Sequence, residues 1–565
     1  MKRALRKQRL LLNKKMKKKI GKIILSCFTI LLIMSLLYIE YHHEIKKREF
    51  SLYFMVGDNI IRSWQTDGIH YLFLPSFAKE EEILLASFSP DFYVIEEGES
   101  IVGKESIKGL PHKKELLCQR VDNKERFTLF IMQSSGLPTI FLNTNSNDLE
   151  KIKESKEYEV SGSLQIVHID GQREEKKALK GVRTRGNTSF AGYEKKPFSI
   201  SLKDESSLLG LPTGESYALL SNASDPSLIR NDIVRWMEEK MELKGSHRGR
   251  FVDLYIDGLY EGNYYLCDNI AIGEERISIE NMEETMNLIY NMGNYESEQL
   301  YETKNAKARK MSVTMEDITG GYLMEREYVE RYLHEYEDIK SGFISDEEEY
   351  FVVKNPKYCS IEQIEYIRNY INEAETAIMN PVGKNENTGK MYWEYIDLHS
   401  FAKKYLAEEI SKNYDGGVSS SYYYKDSDRI DGKLYAAPGW DYDMTWGNYV
   451  EWMADYSADP EGIEKLAHHT YSSPWYKKLY EKEEFYKLIT LYYREKVSPF
   501  LHYLVEEGLE EYKMALKDSA YMNEIRWKQE LLNHPYYENR EITFRELKDF
   551  MKKRTDYLDE CWISS

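Results

Sequence analysis

The chain is poor in proline, with 14 in 565 residues, so no long proline-rich linker or collagen-like tract can be present. Its five cysteines, Cys27, Cys118, Cys267, Cys359 and Cys561, lie far apart and show no metal-ligand spacing. A phosphate-binding G-x-x-x-x-G-K-[ST] loop, a G-x-G-x-x-G turn after a strand, an H-E-x-x-H zinc pair and a G-x-S-x-G nucleophile elbow are all missing. No internal repeat appears, nor any low-complexity tract after residue 22. Apolar residues at 42% and charged residues at 30% leave a globular chain, and the length suggests several domains or one large unit with an appended piece.

Positive charge is scarce beyond the start of the chain. Eleven of the 77 Lys/Arg residues fall in residues 1–22, which hold no Asp/Glu; the remainder carries 66 basic against 95 acidic side chains, a net of −29. A body this acidic reverses the phosphate attraction that supplies nucleic-acid affinity, so nucleic acid is excluded as a partner, whereas a basic protein suits it. Residues 23–39 are uncharged and follow a basic flank. No A-x-A cleavage pattern follows them, which favours an uncleaved signal anchor over a cleaved signal peptide. The expected layout is a basic cytoplasmic segment (1–22), a transmembrane anchor (23–39) and a large domain outside the cytoplasm, giving a single-pass cell-membrane protein.

Residues 46–128 contain short apolar runs and read as a stem or small β-rich region. Strands are expected at 129–132, 139–142 and 164–168. A hairpin is expected at 251–266, where Asp257-Gly258 supplies the positive-φ turn. Ser360 with Gln363 reads as a capping box, followed by an Ile364, Ile367, Ile371, Ala374, Ile378 stripe. A second helix starts at Asp397 and ends near Asn413, and 474–560 reads as helical throughout. Residues 292–318 read as an insertion. A β-rich first part joined to a helical second part is an α+β arrangement.

Two stretches could carry chemistry. In 411–448 Asp415 lies on a loop after a helix, a hairpin follows, and Pro438-Gly439-Trp440-Asp441-Tyr442-Asp443 places two carboxylates two residues apart. Such a pair suits Mg²⁺ shared with phosphate oxygens; two turn aspartates capping backbone N–H groups is the plainer alternative. In 183–203 an Arg185-Gly186-Asn187 turn and Lys195-Lys196 precede a strand, which suits a loop over phosphates or an ordinary basic hairpin.

These stretches resemble the CotH kinase family, named after spore coat protein H. The matching segments run in order: RGNTSF…KKPFSISL, SLLGLP…YALLSNASDPSLIRNDI, RFVDLYIDGLYEGNYYL, GGYLMEREY, FVVKNP, SKNYDG…SYYYKD and PGWDYDMTWGN. The resemblance covers roughly residues 130–565. It implies an atypical protein-kinase-like two-lobed fold over 129–565, with a β-rich N-lobe at about 129–280 and a helical C-lobe at about 355–565. It further implies transfer of the ATP γ-phosphate to Ser/Thr of a protein substrate with Mg²⁺ or Mn²⁺, the substrate here expected to be basic and Ser/Thr-rich. By the same resemblance Asp415 is catalytic, Asp441 and Asp443 hold the metal, and Lys196, Arg185 and Asn187 face the nucleotide. Ser419–Ser421 stands where some relatives carry Asn. Two other functions share parts of this pattern: a non-catalytic cell-envelope scaffold on a kinase-like fold, and a D-x-D nucleotide-sugar glycosyltransferase. The antiparallel hairpin argues against the latter.

Overall fold

A computed structural model describes residues 50–95, 114–147, 149–289, 299–312, 315–466, 474–534 and 537–564. The described residues form two compact units: those within 50–73 and 79–132, and those within 74–78 and 133–564.

The first unit is built of short strands. Tyr53–Val56 pairs antiparallel with Asn59–Arg62 and with Ile83–Leu85. A five-stranded sheet runs Trp64–Thr66, Ile69–Leu74, Arg126–Gln133, Lys114–Arg120, Phe92–Val94. Leu116 and Cys118 on one strand, and Phe127, Leu129 and Ile131 on its neighbour, are buried at every second position, the two-residue strand period.

The second unit opens with a closed seven-stranded β-barrel. Its order is Gly214–Leu220, Phe198–Ser206, Lys177–Thr184, Val160–Val167, Thr139–Thr144, Arg250–Ile256, Leu259–Asp268. Closure comes from the antiparallel pairing of Gly214–Leu220 with Leu259–Asp268, and Thr139–Thr144 meets Arg250–Ile256 in parallel. The hairpin turn is as expected: Asp257 and Gly258 sit at φ 49° and 81°, the two left-handed residues of a type I′ connection. All ten residues of Leu259–Asp268 are buried, and helix Lys517–Arg526 packs on this strand. Ser519 Oγ and Tyr260 hydroxyl donate to buried Asp253 at 2.7 and 3.0 Å, and Asn263 Nδ2 donates to Ser519 Oγ at 2.9 Å. Gly262, at φ +116°, permits this approach, because a Cβ there would come within 2.5 Å of Asn523 Oδ1.

A second sheet of seven strands follows, ordered Gln299–Glu302, Ala306–Lys310, Gly342–Ile344, Tyr350–Asn355, Tyr322–Glu327, Ser421–Lys425, Leu434–Ala436. Helix Ile361–Met379 begins at the Ser360–Gln363 capping box, and helix Leu398–Ser411 begins where Asp397 accepts from Ser400 N–H at 2.8 Å. Their apolar faces and the helices from Pro474 to Trp562 share one core that includes Ile367, Ile371, Phe401, Tyr405, Trp475, Phe485 and Leu558.

The fold therefore corrects the expected class. The protein is a mixed α/β structure, not a β-rich N-lobe hinged to a helical C-lobe. Its β-rich part closes into a barrel, a further sheet is built mostly from residues 299–355 between the two expected lobes, and barrel and helices belong to one compact unit. The expected insertion at 292–318 contributes two strands of that sheet. The transmembrane anchor is also corrected. Residues 23–39 lie outside the described residues, and no described helix is long and apolar enough to cross a membrane. The two longest, Ile361–Met379 and Arg540–Trp562, carry charged side chains along their length. The expected single-pass membrane localisation loses its support with the anchor, since no helix among the described residues could span a membrane.

Candidate active site

Helix Leu398–Ser411 ends because Lys412 adopts the left-handed conformation, φ 56°, with its N–H returning to Glu408 and Glu409 carbonyls. Asn413 Oδ1 then accepts from Asp415 N–H at 3.2 Å, which leaves the Asp415 side chain exposed on the turn. The chain continues through Ser419 and Ser420 into strand Ser421–Lys425, returns along Leu434–Ala436, and enters the Pro438–Asp443 loop. There Asp441 is left-handed too, φ 62°, as is Ser420 across from it at φ 49°; Ser420 Oγ lies 3.4 Å from Asp441 Oδ2. Two non-glycine residues held in this region side by side represent strain the surrounding structure must hold. Asp443 accepts from Ser224 Oγ, and Asn448 Nδ2 braces the loop by donating to Asp443 O at 2.7 Å and Ser224 O at 2.8 Å.

The structure brings the three predicted acids into one another's field. Asp441 is pushed up to about 7, first by desolvation, then by Asp443, with Asp415 adding in the same sense; Arg185 and Arg331 oppose. Asp415 is pushed up to about 6, again first by desolvation, against Arg331 and with Asp443 and Glu408 raising it. Asp443 is raised chiefly by desolvation, opposed by its bond from Ser224. Asp415 and Asp441 are exposed, so water screens part of the repulsion and the direction carries the argument.

The cations at this cluster are arginines. Arg331 pairs with Glu327 at 3.0 Å and Glu335 at 3.3 Å and donates to Ser419 Oγ at 3.0 Å. Arg185 donates to Asn269 Oδ1 at 3.0 Å and its guanidinium lies 4.7 Å from the Trp440 ring centroid, next to Asp441. Asn187 is exposed and donates to Glu335 Oε1 at 2.9 Å, tying its turn to the Arg331 network. Lys196 does not join the group: its Nζ donates to the carbonyls of Phe190, at 2.7 Å, and Tyr193 in its own loop. Neighbouring Lys195 is buried, on the carbonyls of Ser221 and Asn263, both at 2.6 Å.

Sequence reasoning missed Arg331. Arg331 is spaced four residues from both Glu327 and Glu335, which reads as ordinary helical ion pairing, and its long-range partner, Ser419, is 88 residues away. Among the described residues no three His, Cys, Asp or Glu side chains could hold a metal ion by themselves. That donor set suits a hard cation that takes one or two carboxylates and completes its shell with phosphate oxygens and water, as Mg²⁺ does.

A family model described as CotH kinase protein matches residues 182–558, a span that contains every residue of the candidate site. The chain belongs to the CotH kinase family. It is accordingly a kinase-like protein, and within this CotH-family chain the matched span runs from the third barrel strand to the last helix. No curated protein matches it significantly.

Proposed function

We propose that the chain is a protein kinase that transfers the γ-phosphate of ATP to a Ser or Thr hydroxyl. The observation that carries this reading is the meeting of Asp415, Asp441 and Asp443, from two loops, in a setting that penalises their negative charge and places Arg331 and Arg185 beside them. Such carboxyls favour a cation. Asp441 and Asp443 would hold Mg²⁺ or Mn²⁺, which when bound supplies charge neutralisation on the phosphate oxygens. Asp415, raised toward neutrality yet on an exposed turn, would accept the proton of the attacking hydroxyl. The new bond forms between that oxygen and the γ-phosphorus, the bond from the γ-phosphorus to its bridging oxygen breaks, and ADP leaves with the electron pair. Arg331 and Arg185 would offer fixed positive charge to the transferring group. Asn187 and Lys196 enter on family resemblance, and Lys196 would have to leave its two carbonyls to reach a phosphate. The net acidic charge of the chain beyond residue 22 suits a basic, Ser/Thr-rich protein segment.

The test is transfer of labelled phosphate from ATP, with Mg²⁺ or Mn²⁺, to the protein itself and to a basic Ser/Thr-rich peptide. Asp415→Asn is expected to abolish transfer and leave metal-dependent ATP binding within about threefold, since a base acts on the hydroxyl. A binding-only scaffold predicts no transfer from the wild type at all, and a glycosyltransferase predicts hydrolysis or transfer from a nucleotide sugar in its place.

A further inference from the structure

The acid-bearing loops share one support, and it comes from a buried side chain outside them. Glu408 lies in the last turn of helix Leu398–Ser411 and is 2% exposed. One oxygen, Oε2, accepts from Asn413 Nδ2 at 2.6 Å; Asn413 is the residue whose Oδ1 holds the Asp415 N–H. The other, Oε1, accepts from the Tyr442 hydroxyl at 3.0 Å, and Tyr442 is the residue between Asp441 and Asp443. The Lys404 ammonium pairs with the same oxygen from one helical turn earlier. Glu238, on helix Arg230–Lys240, holds the far side, accepting from Gly439 N–H at 2.8 Å, and its Oε1 lies 3.2 Å from the Tyr442 hydroxyl oxygen, whose single hydrogen is shared between the two glutamates with the shorter contact to Glu408. Tyr442, Glu238 and Lys404 are fully buried.

We propose that Glu408 is a positioning residue that sets the spacing between the Asp415 loop and the Asp441–Asp443 loop, one carboxylate oxygen to each. The proposal rests on the kinase reading for its catalytic consequence. Like-charged carboxyls on two loops tend to drift apart, and a displacement of about 1 Å between base and phosphate costs about a hundredfold in rate. A carboxylate fixed on a helix and charge-paired within it resists that drift without touching the reacting atoms.

Truncating Glu408 would strand Lys404 and threaten the fold, so the test uses its two loop partners. Tyr442→Phe and Asn413→Ala, alone and together, each leave the Lys404–Glu408 pair in place. Each single variant should lower kcat about tenfold or more with KM for ATP within about twofold, and the double variant should fall little further, because either change already uncouples the loops. Amide hydrogen exchange gives a readout independent of turnover: each variant should speed exchange in both 413–420 and 438–446. Loosening confined to the substituted loop, or fully additive losses of kcat, overturns the proposal. Should the wild type transfer no phosphate, the kinase reading fails while the exchange result still decides whether Glu408 couples the loops.

Discussion

Asp441→Asn should make the metal-free protein more stable while removing its response to metal and nucleotide. Asparagine keeps the shape of the side chain and tolerates the left-handed backbone at φ 62°, so the change is close to a pure removal of charge. The Asp441 carboxyl is raised to about 7, first by desolvation and then by Asp443. Taken at face value, about three pK units correspond to about 4 kcal/mol. The side chain is exposed, however, and screening of the kind that leaves surface pairs worth under about 1 kcal/mol brings the expected gain down to about 1 kcal/mol. A carboxyl whose folded pKa lies above its unfolded value binds extra protons in the folded state, so wild-type stability falls as pH rises from about 4 to about 7. The variant lacks that loss. Urea denaturation at pH 4, 6 and 8 should show its advantage absent at the lowest pH and complete at the highest. At about one hundred times Kd, Mn²⁺ with ATP should add about 2.7 kcal/mol to the wild type and little to the variant. A variant less stable than wild type at pH 8 would mean that the carboxylate caps backbone N–H groups, and the cation site would be refuted with it.

Lys196→Met should leave the melting temperature nearly unchanged, since its ammonium meets two carbonyls and the Phe190 ring of its own loop, and should weaken ATP binding measured by calorimetry; unchanged affinity moves the phosphate contact to Arg185 or Arg331. Arg554→Met should cost about 3–5 kcal/mol in urea denaturation, because fully buried Arg554 donates to the Glu409, Pro460 and Gly462 carbonyls and offsets the buried Glu409 carboxylate. Ser360→Ala should cost about 1 kcal/mol by removing one half of the capping box.

Features set by adjacent residues were legible in the sequence. The Asp257-Gly258 turn, the Ser360–Gln363 box and the Asp397 cap each depend on groups within a few positions, and each formed as read. Barrel closure depends on Leu220 meeting Tyr265 and Ile140 meeting Leu254, pairings that no local pattern encodes. The middle sheet was hidden for a different reason. Its strand Tyr322–Glu327 is buried at all six positions yet ends in Glu325, Arg326 and Glu327, so the apolar alternation that marks a half-exposed strand is replaced by charges. Those charges are tolerated because Lys354, Glu349 and Arg331 come from other elements to pair with them. The same division runs through the site. Asp415, Asp441 and Asp443 are exposed or half-exposed acids on turns and could be picked out by residue type. What brings them together is a helical glutamate that any surface helix could carry. Only its burial against Lys404, Asn413 and Tyr442 distinguishes it, and burial is a property of the folded chain.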